Sequence, residues 1–95
     1  MMVAGPLNVE VHEGAGPPLL LVHGIMAGRA LWGANLEALH AVATPVVVEL
    51  YGHGRSPTPD DGALYTPAAY VAAFEELRVK LGAERWLLAG HSLGA

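Results

Sequence analysis

Three short apolar runs constrain this chain more than anything else in it: Leu19-Leu20-Leu21-Val22, Val46-Val47-Val48 and, after Arg85, Trp86-Leu87-Leu88-Ala89. Each is too short for a helix and lacks the alternation of a strand with one wet face. Such runs suit strands buried on both faces of a mainly parallel sheet. Parallel neighbours need crossover connections, and the intervening sequence supplies them. From about Ala30 to His40, the residues Leu31, Trp32, Leu36 and Leu39 recur at helical spacing without a proline, which predicts a first helix. Thr66-Pro67 joins an N-cap residue to a proline at the first helical position. Tyr70, Phe74, Leu77 and Leu81 then line one face, Glu76 and Lys80 form a four-apart pair, and Gly82 supplies the stop. Upstream, Leu7 to Glu13 alternates with the period of a half-buried strand before Gly14-Ala15-Gly16-Pro17-Pro18 forces a turn. The order strand, strand, helix, strand, helix, strand predicts an α/β fold: an open, mostly parallel sheet with right-handed crossover helices.

Composition narrows the function classes. A chain of 95 residues, 53% of them apolar, suits at most one domain, burying roughly 60 to 65% of its unfolded surface. No apolar run approaches the ~20 residues of a membrane span. Met1 to Pro6 has no positive charge ahead of an apolar stretch, so a cytoplasmic protein without a secretory leader is expected. The lack of cysteine removes disulfides, thiolate metal sites and cysteine nucleophiles together. With a net charge of −4 and only Arg29, Arg55, Arg78, Lys80 and Arg85 as basic residues, scattered along the chain, no nucleic-acid surface is expected. Gly24 to Arg29 lacks the Gly-Lys-Ser/Thr ending of a P-loop, and Gly14-Ala15-Gly16 leads into two prolines instead of a helix. No cofactor is implied. None of the five histidines has metal-ligand spacing, so no metal is assigned, and His12 and His40 read as surface positions.

The chemistry-bearing segment is Gly90-His91-Ser92-Leu93-Gly94, placed directly after the third buried strand. Gly-x-Ser-x-Gly by itself is a common pattern; a buried strand immediately before it gives it weight. A serine on a sharp turn at a strand's carboxyl end sits in strained backbone with its hydroxyl projecting free, while Gly90 and Gly94 leave room for close approach. His23-Gly24-Ile25-Met26, then Glu49-Leu50-Tyr51-Gly52-His53-Gly54-Arg55-Ser56, and finally the Ser92 segment stand in order along the chain. Together they resemble the three N-terminal signatures of the α/β-hydrolase superfamily, and the resemblance runs from the first hairpin through the nucleophile elbow.

That resemblance implies a serine hydrolase for a small ester, amide or similar substrate, three-layered in the parent enzyme, of which residues 1–95 form the N-terminal portion of one domain. It implies Ser92 as nucleophile and the backbone N–H groups of Ile25 and Leu93 as the oxyanion hole. His23 and Gly24 would brace the oxyanion loop, with His91 packing beside the elbow. Glu49 departs from the aspartate more usual at its place. In this superfamily the acid and the histidine base follow the nucleophile, yet only Leu93, Gly94 and Ala95 follow Ser92. The 95 residues are therefore expected to lack triad-dependent activity and to leave the last strand as an aggregation-prone edge. The alternative is a non-catalytic fragment that serves as a binding module or has no function of its own.

Overall fold

The computed structural model describes residues 7–24 and 29–94. Four strands, β1 (Asn8–Val11), β2 (Pro18–Val22), β3 (Thr44–Glu49) and β4 (Leu87–Gly90), form one sheet in the order β1-β3-β2-β4. β2 is parallel to both β3 and β4, and β1 is antiparallel to β3. The expected α/β architecture is present. Two helices cross over: α1 (Leu36–His40), preceded by a 3₁₀ stretch over Arg29–Asn35, and α2 (Pro67–Lys80).

The apolar runs are buried on both faces, as their lack of alternation requires. Leu20, Val22, Val46, Val48 and Leu50 meet Tyr70, Phe74 and Leu77 of α2, with Val9 and Trp86 alongside. On the opposite face, Leu19, Leu21, Ala43 and Val47 meet Leu36 and Leu39 of α1, together with Trp32 and Ala89. Each fully buried Val or Leu contributes roughly 1.5–3 kcal/mol, so the strand interiors dominate the stability of this layered unit. β4 is the exception. It lies at the sheet edge, with Leu87 53% and Leu88 67% exposed.

Four expectations need correction. First, β1 and β2 do not form a hairpin, because β3 lies between them. The link between β1 and β2 passes hard against the chain entering β3: a Cβ on Gly14 would fall 1.7 Å from the Ala43 carbonyl oxygen, and one on Gly16 would fall 2.0 Å from that of Val42. Second, residues 30–40 are not one helix. Gly33 and Asn35, both poor helix formers, coincide with the tight 3₁₀ stretch, and regular helix begins only at Leu36. Third, Leu81 is not on the buried face of α2; it is the C-cap residue and is 38% exposed. Fourth, strand limits shift: β3 begins at Thr44, taking in Pro45 just before the β1 register starts at Val46, and β4 begins at Leu87.

The ends of α2 follow the sequence signals. Thr66 Oγ1 accepts from the Ala69 N–H at 3.2 Å and Pro67 occupies the first turn, while Gly82 follows the helix at φ +72°. Lys80 Nζ lies 3.6 Å from Glu76 Oε1. Arg78 does more than pair with Glu75, whose carboxyl it holds below the usual range through a side-chain hydrogen bond. Its guanidinium also donates to the carbonyls of Ala83 and Glu84, tying the helix end to the turn that leads into β4. Burial, the largest of several influences, pushes the Tyr70 phenol above its ordinary range; its ring stacks at 5.9 Å on Tyr51, which follows β3. Among the described residues no helix is long and apolar enough to cross a membrane.

Candidate active site

Sheet order fixes where a site forms. The chain passes from β2 outward to β3 and then returns to the other side of β2 to place β4. The strand order reverses at β2, and such a switch point opens the crevice in which α/β sheets bind ligands, beyond the carboxyl ends of the strands. His23 and Gly24 leave β2 at this point, and His91 and Ser92 leave β4 beside them.

Ser92 is exposed and has φ +56°, the single non-glycine residue with positive φ among the described residues. Left-handed backbone costs an L-residue about 1–2 kcal/mol, so the surroundings must hold it. They do so through His91 N–H, which donates to Val22 O at 3.0 Å, and Gly94 N–H, which donates to His91 O at 3.0 Å. The turn over Ser92–Gly94 is a single 3₁₀ turn.

Two glycines are needed by the crowding there. A Cβ on Gly24 would lie 3.0 Å from Ser92 Cβ and 3.1 Å from His91 O, and one on Gly94 would lie 2.3 Å from Val22 O. Gly90 ends β4 opposite Val22. If the left-handed turn is strained, Ser92→Gly should raise stability by about 1 kcal/mol, read from the denaturant midpoint. A lower midpoint would show instead that the serine side chain contributes more than the strain costs.

His23 is fully buried, and both of its ring nitrogens are engaged. Leu50 N–H donates to Nε2 at 3.0 Å, so Nδ1 carries the proton and donates to Gly24 O at 2.6 Å. An imidazole fixed in this tautomer fastens the end of β2 to the end of β3 and has no lone pair left for Ser92. The His53 ring lies against it, centroids 4.8 Å apart, with Nδ1 at 3.0 Å from Tyr51 O.

The feature that sequence reading missed is the role of Glu49. The residue is 2% exposed, and its Oε1 accepts from Arg55 N–H at 3.0 Å and from Asn8 Nδ2 at 3.1 Å. Ser56 Oγ donates to Glu49 O and accepts from Asn8 N–H at 2.7 Å. Gly54, at φ +51°, sits so close that a Cβ would fall 1.7 Å from Glu49 Oε2. The carboxylate thus clamps the glycine-rich turn after β3 and, through it, His53 against His23. The signals available were an acidic residue ending an apolar strand and its place where the resemblance expects an aspartate.

Of the residues expected to act together, the structure gathers His23, Gly24, Gly90, His91, Ser92, Leu93 and Gly94 at the carboxyl ends of β2 and β4. Leu93 is 59% exposed. Ile25 lies outside the described residues.

The structure is thus a layered α/β unit with a left-handed serine just after β4 at the switch point. A family model described as alpha/beta hydrolase fold matches residues 17–95, and the chain belongs to that family. It is 38% identical over 81 residues to an uncharacterized protein of Mycobacterium tuberculosis, covering 85% of this chain and 23% of that one. Over 79 residues it is 37% identical to a human 1-acylglycerol-3-phosphate O-acyltransferase, covering 81% of this chain and 23% of the relative. Among solved structures, an epoxide hydrolase from an endophytic Streptomyces superposes with a TM-score of 0.80 at 28% identity, covering 93% of this chain and 30% of that one. The chain spans about a quarter of the length of the curated relatives it matches.

Proposed function

We propose that Ser92 is the nucleophile of a serine hydrolase that cleaves a small ester, amide or similarly activated carbonyl, soluble in the cytoplasm. The observation that carries this reading is the exposed serine held at φ +56° over the switch-point crevice. Backbone strain at a non-glycine residue is retained where function needs it. In this reading the N–H groups of Leu93 and Ile25 bind the oxyanion, in a place where losing one donor typically costs about 3 kcal/mol or more of transition-state stabilisation.

A serine hydroxyl attacks poorly until a base takes its proton. His23 is committed to Leu50 and Gly24, and His91 is read as packing beside the elbow. The base and its acid are therefore assigned to chain beyond the 95 residues, and these residues alone should react slowly. An acyl-serine formed at Ser92 would pass its acyl group to water, releasing the acid and freeing the serine.

The test is covalent labelling by a fluorophosphonate. A longer protein carrying these residues should label at Ser92, Ser92→Ala should not label, and the 95-residue chain should label far more slowly than the longer protein. Labelling at a different residue, or ester turnover that survives Ser92→Ala, would overturn the assignment.

A further inference from the structure

A second cluster lies at the opposite end of the sheet, independent of Ser92. His12 follows β1, and its N–H donates to Pro45 O at the start of β3; His40 is the last residue of α1, and its carbonyl accepts from Ala15 N–H. These bonds fasten both backbones to the same corner and bring the two imidazoles together, ring centroids 5.8 Å apart and planes tilted by 39°. The Nε2 atoms of both rings are buried and have no hydrogen-bond partner. Glu10 Oε2 comes within 3.5 Å of His12 Nε2 without completing a hydrogen bond. Glu13, Gly14, Ala15, His40 and Thr44 line an open cavity of about 660 Å³ on the His40 side of the pair.

Two neighbouring, buried, unsatisfied imidazole nitrogens call for a specific partner, because such groups are rare and costly to leave unpaired. The ring separation also suits a shared ion. An ion bound by Nε2 at about 2.0–2.1 Å sits roughly 3.2 Å from the ring centroid, so two imidazoles sharing one ion have centroids about 5 to 6.3 Å apart. The observed spacing falls in that interval.

We infer that His12 and His40 form a two-imidazole site for a divalent first-row transition-metal ion of the zinc, nickel or copper type. Neutral imidazole favours these ions over the hard cations calcium and magnesium. No third ligating side chain converges among the described residues, so water completes the coordination from the adjoining cavity. The Glu10 and Glu13 carboxylates add negative charge nearby. The site ties the β1 end to the α1 end, which sequence separates widely.

The test is calorimetric titration of the chelator-treated protein with zinc chloride at neutral pH. One equivalent should bind, unaffected by millimolar calcium. His12→Asn and His40→Asn should each weaken binding by about tenfold or more, as loss of a ligand must do at least as much as loss of its supporting partner. His91→Asn, which removes an exposed histidine elsewhere, should leave binding unchanged. In the unsubstituted protein, substoichiometric nickel should broaden the imidazole NMR signals of His12 and His40 before those of His53 and His91. Absence of a one-equivalent site, equal loss in His91→Asn, or uniform broadening of all histidines would overturn the inference.

Discussion

Gly94→Ala is expected to destabilise the protein by about 3 kcal/mol or more, on the scale of severe overpacking. The added methyl would sit 2.3 Å from Val22 O and 2.7 Å from His23 O. Both are backbone atoms at the end of β2, so no side chain can swing away to relieve the overlap. Relief requires the Ser92 turn to lift off β2, breaking the bond from His91 N–H to Val22 O that holds it. Chemical denaturation should show a lower midpoint, and in a longer, active protein the reactivity of Ser92 should fall further than the folded fraction does. A variant within about 1 kcal/mol of the parent would mean that the turn and the strand are not in the tight contact described.

The second large effect concerns a residue that looks dispensable. Gly14 is exposed, in a link between strands, at a place where substitutions are usually tolerated. Its Cβ position nonetheless lies 1.7 Å from Ala43 O and 2.7 Å from Thr44 Cα. Gly14→Ala should therefore cost about 3 kcal/mol or more against a total stability of only 5–15 kcal/mol, because the link could no longer pass the entry to β3. Gly62→Ala is the matched control: an exposed glycine with nothing near its Cβ position, expected to change stability by less than about 1 kcal/mol. Equal effects of the two substitutions would remove the crossing as the cause.

What was legible in the sequence was local. A buried strand running into a glycine-flanked serine needs only neighbouring residues to be read, and the structure places a left-handed Ser92 directly after β4. The Thr66-Pro67 helix start is likewise local, and it is present as expected. What was illegible depended on partners far along the chain. Glu49 looked like an irregular substitution until the Asn8 amide, 41 positions away, was found on its carboxylate. His12 and His40 looked like separate surface residues because no spacing rule links the end of a strand to the end of a helix. The supposed hairpin failed for a related reason. Alternation identifies a strand and its wet face, but says nothing about which neighbour it takes.

The sheet order also bears on how the molecule reaches its structure. Since β3 lies between β1 and β2, no two strands close by a tight turn, and every pairing must wait for a distant segment. Asn8 cannot meet Glu49 until the chain between them is in place. Non-local pairings of this kind carry loop-closure entropy before any contact rewards it, which slows folding. During synthesis, Leu19 to Val22 would emerge long before Leu87 to Gly90, its partner on one side. That interval leaves an apolar strand exposed to other chains, so the yield of this fold in a cell should depend on chaperone capacity more than its final contacts suggest.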